Sequence, residues 1–319
     1  MIRSLAIGFA LALLCAAAPV PPPVPVILDT DIGDDIDDAL ALSLALQSPE
    51  LNVLAVTTVL RHGQDRADLA AKILELFHRT DVPVGIGAEE TLMGGPQPYA
   101  HVIQHKALPA GFHLASPRRN GLELLIDTCL NAPGKVTILA YGPLTNVALA
   151  LRAESRLKDK IERIVLMNGV FFRPGLEYNT LTDADASAIV YSSGLPVETV
   201  GLDVTLQCRL NAAQMRRIED AKLETAQFLL QLIRMWQDAN HAQFPILHDP
   251  LSVAVAIRPD LVSTVTGDVA VETRGTVGET QGMTVFRENP KGNVRVANEV
   301  NSAAVIDFFL DRVLAPPRQ

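Results

Sequence analysis

Short apolar, β-branched runs recur along this chain at Val24 to Leu28, Val53 to Val59, Val82 to Ile86, Val136 to Leu139, Ile161 to Met167 and Val197 to Val200. Runs without polar alternation suit strands buried on both faces, as in a parallel sheet. Between them, Asp38 to Leu46, Arg66 to Phe77, Leu122 to Leu130, Leu144 to Leu151 and Ala184 to Tyr191 carry apolar residues at helical spacing. Repeated strand, helix, strand units imply right-handed crossovers. The predicted fold is therefore α/β: an open, mostly parallel central sheet flanked by helices. Leu210 to Ala242 reads as a long helical pattern, Val265 to Arg287 as a small peripheral β-hairpin and Ser302 to Val313 as a closing helix. With 319 residues, 48% of them hydrophobic, the chain can bury one large core, and no repeat or linker divides it.

The first residues are set apart. Arg3 precedes an apolar stretch from Leu5 to Ala18, too short to span a bilayer, with small residues at Ala16 and Ala17 and then Pro21-Pro22-Pro23. Residues 1–17 read as a signal peptide, 18–24 as a Pro-rich linker and 25–319 as the single folded domain, which predicts an exported protein with no stable membrane insertion after processing. Lys and Arg number 27 against 36 Asp and Glu, a net charge of −9, so a basic face for nucleic acid is not expected. Of three cysteines, Cys15 lies in the leader. Cys129 and Cys208 have no metal-ligand spacing, and sequence leaves open whether they pair.

In an open α/β sheet, ligands bind beyond the carboxyl ends of the strands. Behind the first apolar run stands Asp29-Thr30-Asp31-Ile32-Gly33-Asp34-Asp35-Ile36-Asp37-Asp38, six carboxylates in ten residues. Like charges this close repel unless a cation neutralises them, and hard oxygen ligands select Ca²⁺ or Mg²⁺, with Ca²⁺ the more tolerant of irregular coordination. Asp29 could instead brace the strand end, and Asp37 or Asp38 could cap the next helix. Two further polar segments follow strands: Tyr141-Gly142-Pro143 and Asn168 to Asn179.

The run Asp29 to Leu42 resembles the N-terminal signature of the inosine-uridine-preferring nucleoside hydrolase family, calcium-dependent N-ribohydrolases with an open α/β fold. Tyr141-Gly142-Pro143-Leu144-Thr145-Asn146, Glu177-Tyr178-Asn179 and His248-Asp249-Pro250 resemble three further family segments, in the same order. The resemblance implies that Asp31, Asp38 and Asp249, with the backbone carbonyl of Tyr141, would ligate Ca²⁺. Asp37 would be the general base on the attacking water, Glu177 and Asn179 would hold ribose hydroxyls, and His248 would stand near the departing base. It also implies a nucleoside or related riboside as substrate and a homodimer or homotetramer. The chemistry suits these residue types, because cleaving an N-glycosidic bond passes through an oxocarbenium-like state that an activated water and an anionic pocket both favour.

Three departures mark this chain. Asp34-Asp35-Ile36 intervenes between Gly33 and Asp37, so Asp35 is a further candidate ligand. After Val59, where the family has Gly-Asn, His62 is the candidate substrate contact. Phe171, Phe172 and Arg173 replace the family's Gly-Asn pair ahead of Glu177; they stack on a base, receive a 5′ substituent, or pack as core or lid. Asn168, opening that segment, is a further candidate for substrate binding. Two rivals stand beside the hydrolase: an exported calcium-dependent riboside-binding protein without turnover, and a haloacid-dehalogenase-type phosphatase using Asp29 as nucleophile.

Overall fold

The computed structural model describes residues 22–94, 97, 101–112 and 119–318; the expected leader lies outside the described residues. Ten strands are present among them: β1 (Val24–Thr30), β2 (Leu51–Thr58), β3 (Val84–Ile86), β4 (Arg119–Asn120), β5 (Val136–Ala140), β6 (Ile161–Met167), β7 (Val197–Val200), β8 (Val262–Val271), β9 (Thr284–Glu288) and β10 (Val294–Val300). They form one sheet in the order β4-β3-β2-β1-β5-β6-β7-β10-β8-β9. From β4 to β10 every neighbour is parallel, and β8 and β9 close the far edge antiparallel. The six expected strands are all found. The expected hairpin is β8 and β9, and it joins the main sheet through β10, whose mixed Val-Arg-Val-Ala-Asn-Glu-Val sequence does not stand out as a buried run.

Chain direction explains where a site can form. From β1 the chain steps outward through β2, β3 and β4, then returns to place β5 on the other side of β1. The loops leaving β1 and β5 therefore diverge, and the crevice between them is the topological switch point where open α/β sheets bind ligands.

The strands bury both faces. Val26 and Leu28 point into one apolar layer and Ile27 into the other, all three fully buried. The first layer holds the helix Asp37–Gln47, every residue of which is buried, since it packs against the helices His248–Ile257 and Ser302–Val313 as well as the sheet. Alternating Leu and Ala in its sequence lets those neighbours approach closely. The pattern from Leu210 to Ala242 is two helices, Ala212–Asp220 and Glu224–Asn240; Asn211 and Gln214 make a capping box at the start of the first. Cys129 and Cys208 are buried free thiols in opposite layers. Burial pushes both up to about 12. Among the described residues no helix is long and apolar enough to cross a membrane.

Asn146, from the segment after β5, ties three parts of this framework together. Its Nδ2 donates to Asp29 Oδ1 (2.7 Å) and Thr58 O (2.9 Å), and its Oδ1 accepts the Ala88 N–H (2.8 Å). Asn146→Ala strands those buried partners and is expected to cost about 2–4 kcal/mol, read from urea unfolding midpoints at constant slope.

Candidate active site

β1 delivers Asp29 and Thr30 fully buried at its carboxyl end, and the chain then turns through Asp31 to Asp35 before the helix Asp37–Gln47 begins. The Asp29 carboxylate does not line the cavity. Its Oδ1 accepts Thr57 Oγ1 (2.5 Å) and Asn146 Nδ2, so it braces β1 to β2 and to the segment after β5. Burial raises its pKa to about 6. A carboxylate fully buried off the cavity cannot reach a phosphate, and the phosphatase reading falls with it.

Asp37 and Asp38 occupy the first turn of their helix without side-chain capping bonds, and Asp249 occupies the first turn of His248–Ile257. The two helices pack side by side with their N-termini at the same point, so both macrodipoles favour negative charge there. Carboxylate oxygens of Asp37, Asp38 and Asp249 all lie within 4.8 Å of one another. Oxygens that share one Ca²⁺ at its usual bond lengths sit at most roughly 5 Å apart, so the trio fits a single cation. Thr30 Oγ1 donates to Asp38 Oδ1 (2.5 Å), and the Asp249 N–H reaches Asp37 Oδ2 (3.4 Å).

Asp31 is buried beside the trio. Desolvation and then mutual repulsion push Asp37, Asp38 and Asp249 well above the ordinary carboxylate range, while burial brings Asp31 to about 7 against the opposing pull of Arg66. A divalent cation removes that conflict by pairing with the ionised forms. The Tyr141 carbonyl, expected as a ligand, accepts Asn179 Nδ2 (3.0 Å) and keeps its second lone pair, and Tyr141 lines the cavity. Gly142 is required by close approach: a Cβ there would stand 2.9 Å from both the backbone nitrogen and Oδ1 of Asp31.

Above this floor opens a cavity of about 750 Å³, lined by the acidic residues, Tyr141, Glu177, Asn179 and His248. Glu177 is buried and caps its helix, accepting the N–H groups of Gly169, Asn179 and Thr180, and burial raises its pKa. Asn179 Nδ2 is spent on the carbonyls of Tyr141 and Met167, leaving its Oδ1 for a ligand hydroxyl. His248 is half-buried, with Nδ1 2.7 Å from Thr205 Oγ1. Its pKa falls to about 4 through burial and then the charge of Arg209, so it is neutral at pH 7.

Other expected contacts lie elsewhere. Asp35 is exposed on the cavity rim, outside the trio, its Oδ1 turned to the Ile36 N–H (2.6 Å). His62 is exposed and off the cavity, because left-handed turns at Leu60 and His62 carry the chain outward before the next helix. Asn168 is fully buried behind the cavity, accepting the Tyr191 hydroxyl (3.0 Å). Phe171 packs edge-on against Tyr191 and Phe172 against Phe286, so these two rings serve packing and not the ligand.

The sequence reading missed Trp236 and Asn240, one turn apart on Glu224–Asn240 and facing the cavity, and Arg66. Arg66 was legible in principle, being a charged residue in step with Leu69, Ala70 and Ile73 on the apolar side of its helix.

A family model described as inosine-uridine preferring nucleoside hydrolase matches residues 26–307. Uridine nucleosidase 1 of Arabidopsis thaliana is 32% identical over 91% of this chain and 93% of its own. The pyrimidine-specific ribonucleoside hydrolase RihA of Salmonella gallinarum is 34% identical over 90% and 97%. Among solved structures, the purine-preferring ribonucleoside hydrolase from Gardnerella vaginalis superposes with a TM-score of 0.80 at 28% identity, covering 91% of this chain and 98% of its own.

His248 gives a pH test. Its folded pKa, about 4, lies below the unfolded value near 6.5, so the unfolded chain takes up the proton first. Its neutral form is fully accommodated above about pH 6.5, and stability is lost as pH falls from there toward 4. The stability of the wild type relative to His248→Gln should decline across that window, measured by paired urea titrations at several pH values.

Proposed function

The chain belongs to the inosine-uridine preferring nucleoside hydrolase family and hydrolyses the N-glycosidic bond of ribonucleosides; from that premise we propose pyrimidine ribonucleosides, uridine first, as its substrates and Ca²⁺ as its cation. The base preference rests on the named activities of the two sequence relatives. The choice of Ca²⁺ rests on an all-oxygen donor set drawn from two helices and a loop, which suits flexible coordination. Export is proposed from the leader-like first residues, and a homodimer or homotetramer from the family resemblance.

The single observation that carries the reading is the carboxylate trio at the switch point. Asp38 and Asp249, joined by the Tyr141 carbonyl, would hold the cation, and the geometry adds Asp37 to them. Asp31, buried at the cavity floor outside the trio, is then the better-placed general base, and the roles first expected for Asp31 and Asp37 exchange. When bound, the cation supplies water activation and a grip on ribose hydroxyls. Asp31 takes the proton from the attacking water. Asn179 orients a ribose hydroxyl through its free Oδ1, and Glu177, fixed by three N–H groups, keeps that loop in place. The summed negative charge favours the cationic sugar ring as the bond breaks. Neutral His248 stands on the wall that the departing base faces.

Release of reducing sugar from uridine, cytidine and inosine, with Ca²⁺ and with chelator, tests the proposal. Cation-dependent turnover led by uridine is expected; tight binding without turnover would favour a riboside-binding protein. Asp31→Asn should lower kcat by about 10²–10⁴ while keeping the cation response, and near wild-type kcat would return the base role to Asp37. Saturating Ca²⁺, at about 100 Kd, should stabilise the chelator-treated protein by about 2.7 kcal/mol. In Asp249→Asn that rise in Tm should vanish.

A further inference from the structure

Arg66 is the largest fully buried side chain among the described residues, and it does not itself line the ligand cavity, although Asp31 and Asp34, which it holds, do. Nη1 donates to the carbonyls of Asp31 and Ile32, Nε to the carbonyl of Arg61 (2.8 Å), and Nη2 pairs with Asp34 Oδ2 at 2.8 Å. The guanidinium thus fixes the backbone that carries Asp31. A lysine, with one charged point in place of a planar fork, could not make this set.

The other oxygen of Asp34 faces a different segment. Oδ1 accepts the N–H groups of His101 (3.0 Å) and Val102 (2.7 Å). Gln104, fully buried, adds its backbone N–H to Gly33 O (3.3 Å) and its Nε2 to Asp35 O (2.5 Å). Val102 adopts φ 39°, an unfavourable conformation for a β-branched residue, which its bond to Asp34 helps to hold. Gly33, at φ 122°, leaves no room for more, since a Cβ there would meet Val102 Cγ1 at 2.4 Å. His101 and Ile103 alternate with these anchors and line the cavity. The helical turn Ile103–Ala107 also packs against Glu224–Asn240, which carries Trp236 and Asn240.

We propose that Arg66 and Asp34 are positioning residues that lock the segment 101–104 onto the acidic loop, making one wall of the nucleoside cavity and the loop bearing Asp31 a single rigid unit. This rests on the cavity being the nucleoside site, and it assigns a purpose to the acidic residues inserted between Gly33 and Asp37. The wall faces the cavity while Arg66 stays off it, and Asp34, though it lines the cavity, spends both carboxylate oxygens on Arg66 and on the backbone of His101 and Val102, so loosening the wall weakens binding more than chemistry.

The test combines steady-state kinetics, on the nucleoside the wild type turns over fastest, with backbone hydrogen exchange, using Asp34→Asn and Gln104→Leu. Gln104→Leu leaves the buried ion pair intact and decides the matter alone should Asp34→Asn fail to fold. Each variant is expected to raise KM about tenfold with kcat within about threefold, and to speed exchange of the amides in 101–108 while leaving the central strands protected. Faster exchange with unchanged KM, or unchanged exchange in both variants, overturns the proposal. So does a fall in kcat alone. Should the wild type bind nucleoside without turnover, the dissociation constant replaces KM with the same outcomes, and only the hydrolase reading fails.

Discussion

Asp31, Asp37, Asp38 and Asp249 are carried by two helix N-termini and a strand end to one buried point, where desolvation and repulsion both oppose their ionisation. No arrangement of neutral packing relieves that conflict. Two macrodipoles and the Arg66 guanidinium relieve part of it, and a divalent cation relieves the remainder. The same conflict is useful once an electron-poor sugar ring enters, because a pocket that strains to hold its negative charge stabilises positive charge arriving beside it.

The framework serves this point at several removes. The reversal of strand order beside β1 opens the crevice, and the pairing of the helices Asp37–Gln47 and His248–Ile257 brings Asp249 to carboxylates some two hundred residues earlier in the chain. Gly142 permits the β5 loop to approach Asp31, and Asn146 holds that loop to Asp29 and to the strand next door. Glu177 and Asn179 illustrate how little separates structure from chemistry here: each secures backbone with most of its hydrogen-bonding capacity and faces the cavity with what is left.

Much of this was legible in the amino-acid sequence. Continuous apolar runs identified the central strands because parallel strands are buried on both faces, and six carboxylates behind one of them had few structural excuses. What stayed hidden depended on long-range geometry. The outward turn at Leu60 and His62 removed His62 from the site, and nothing local announces left-handed backbone at a leucine or a histidine. Asn168, expected to contact substrate, is instead buried and accepts the Tyr191 hydroxyl, and Phe171 and Phe172 find ring partners elsewhere in the chain. Asp37 shares the first turn of a helix with Asp38 and completes the trio with Asp249, while Asp31 lies in the loop before that helix, a difference that spacing alone does not resolve. Arg66 stands in step with the apolar side of its helix, but what it holds is mostly backbone carbonyl, and backbone leaves no trace in sequence.

The most direct test of the central claim is anomalous diffraction from crystals grown with Ca²⁺. One peak is predicted, with oxygens of Asp38, Asp249 and the Tyr141 carbonyl at about 2.3–2.6 Å from it. An empty site with the carboxyls protonated and hydrogen-bonded to one another, or a cation bound elsewhere, would contradict the account.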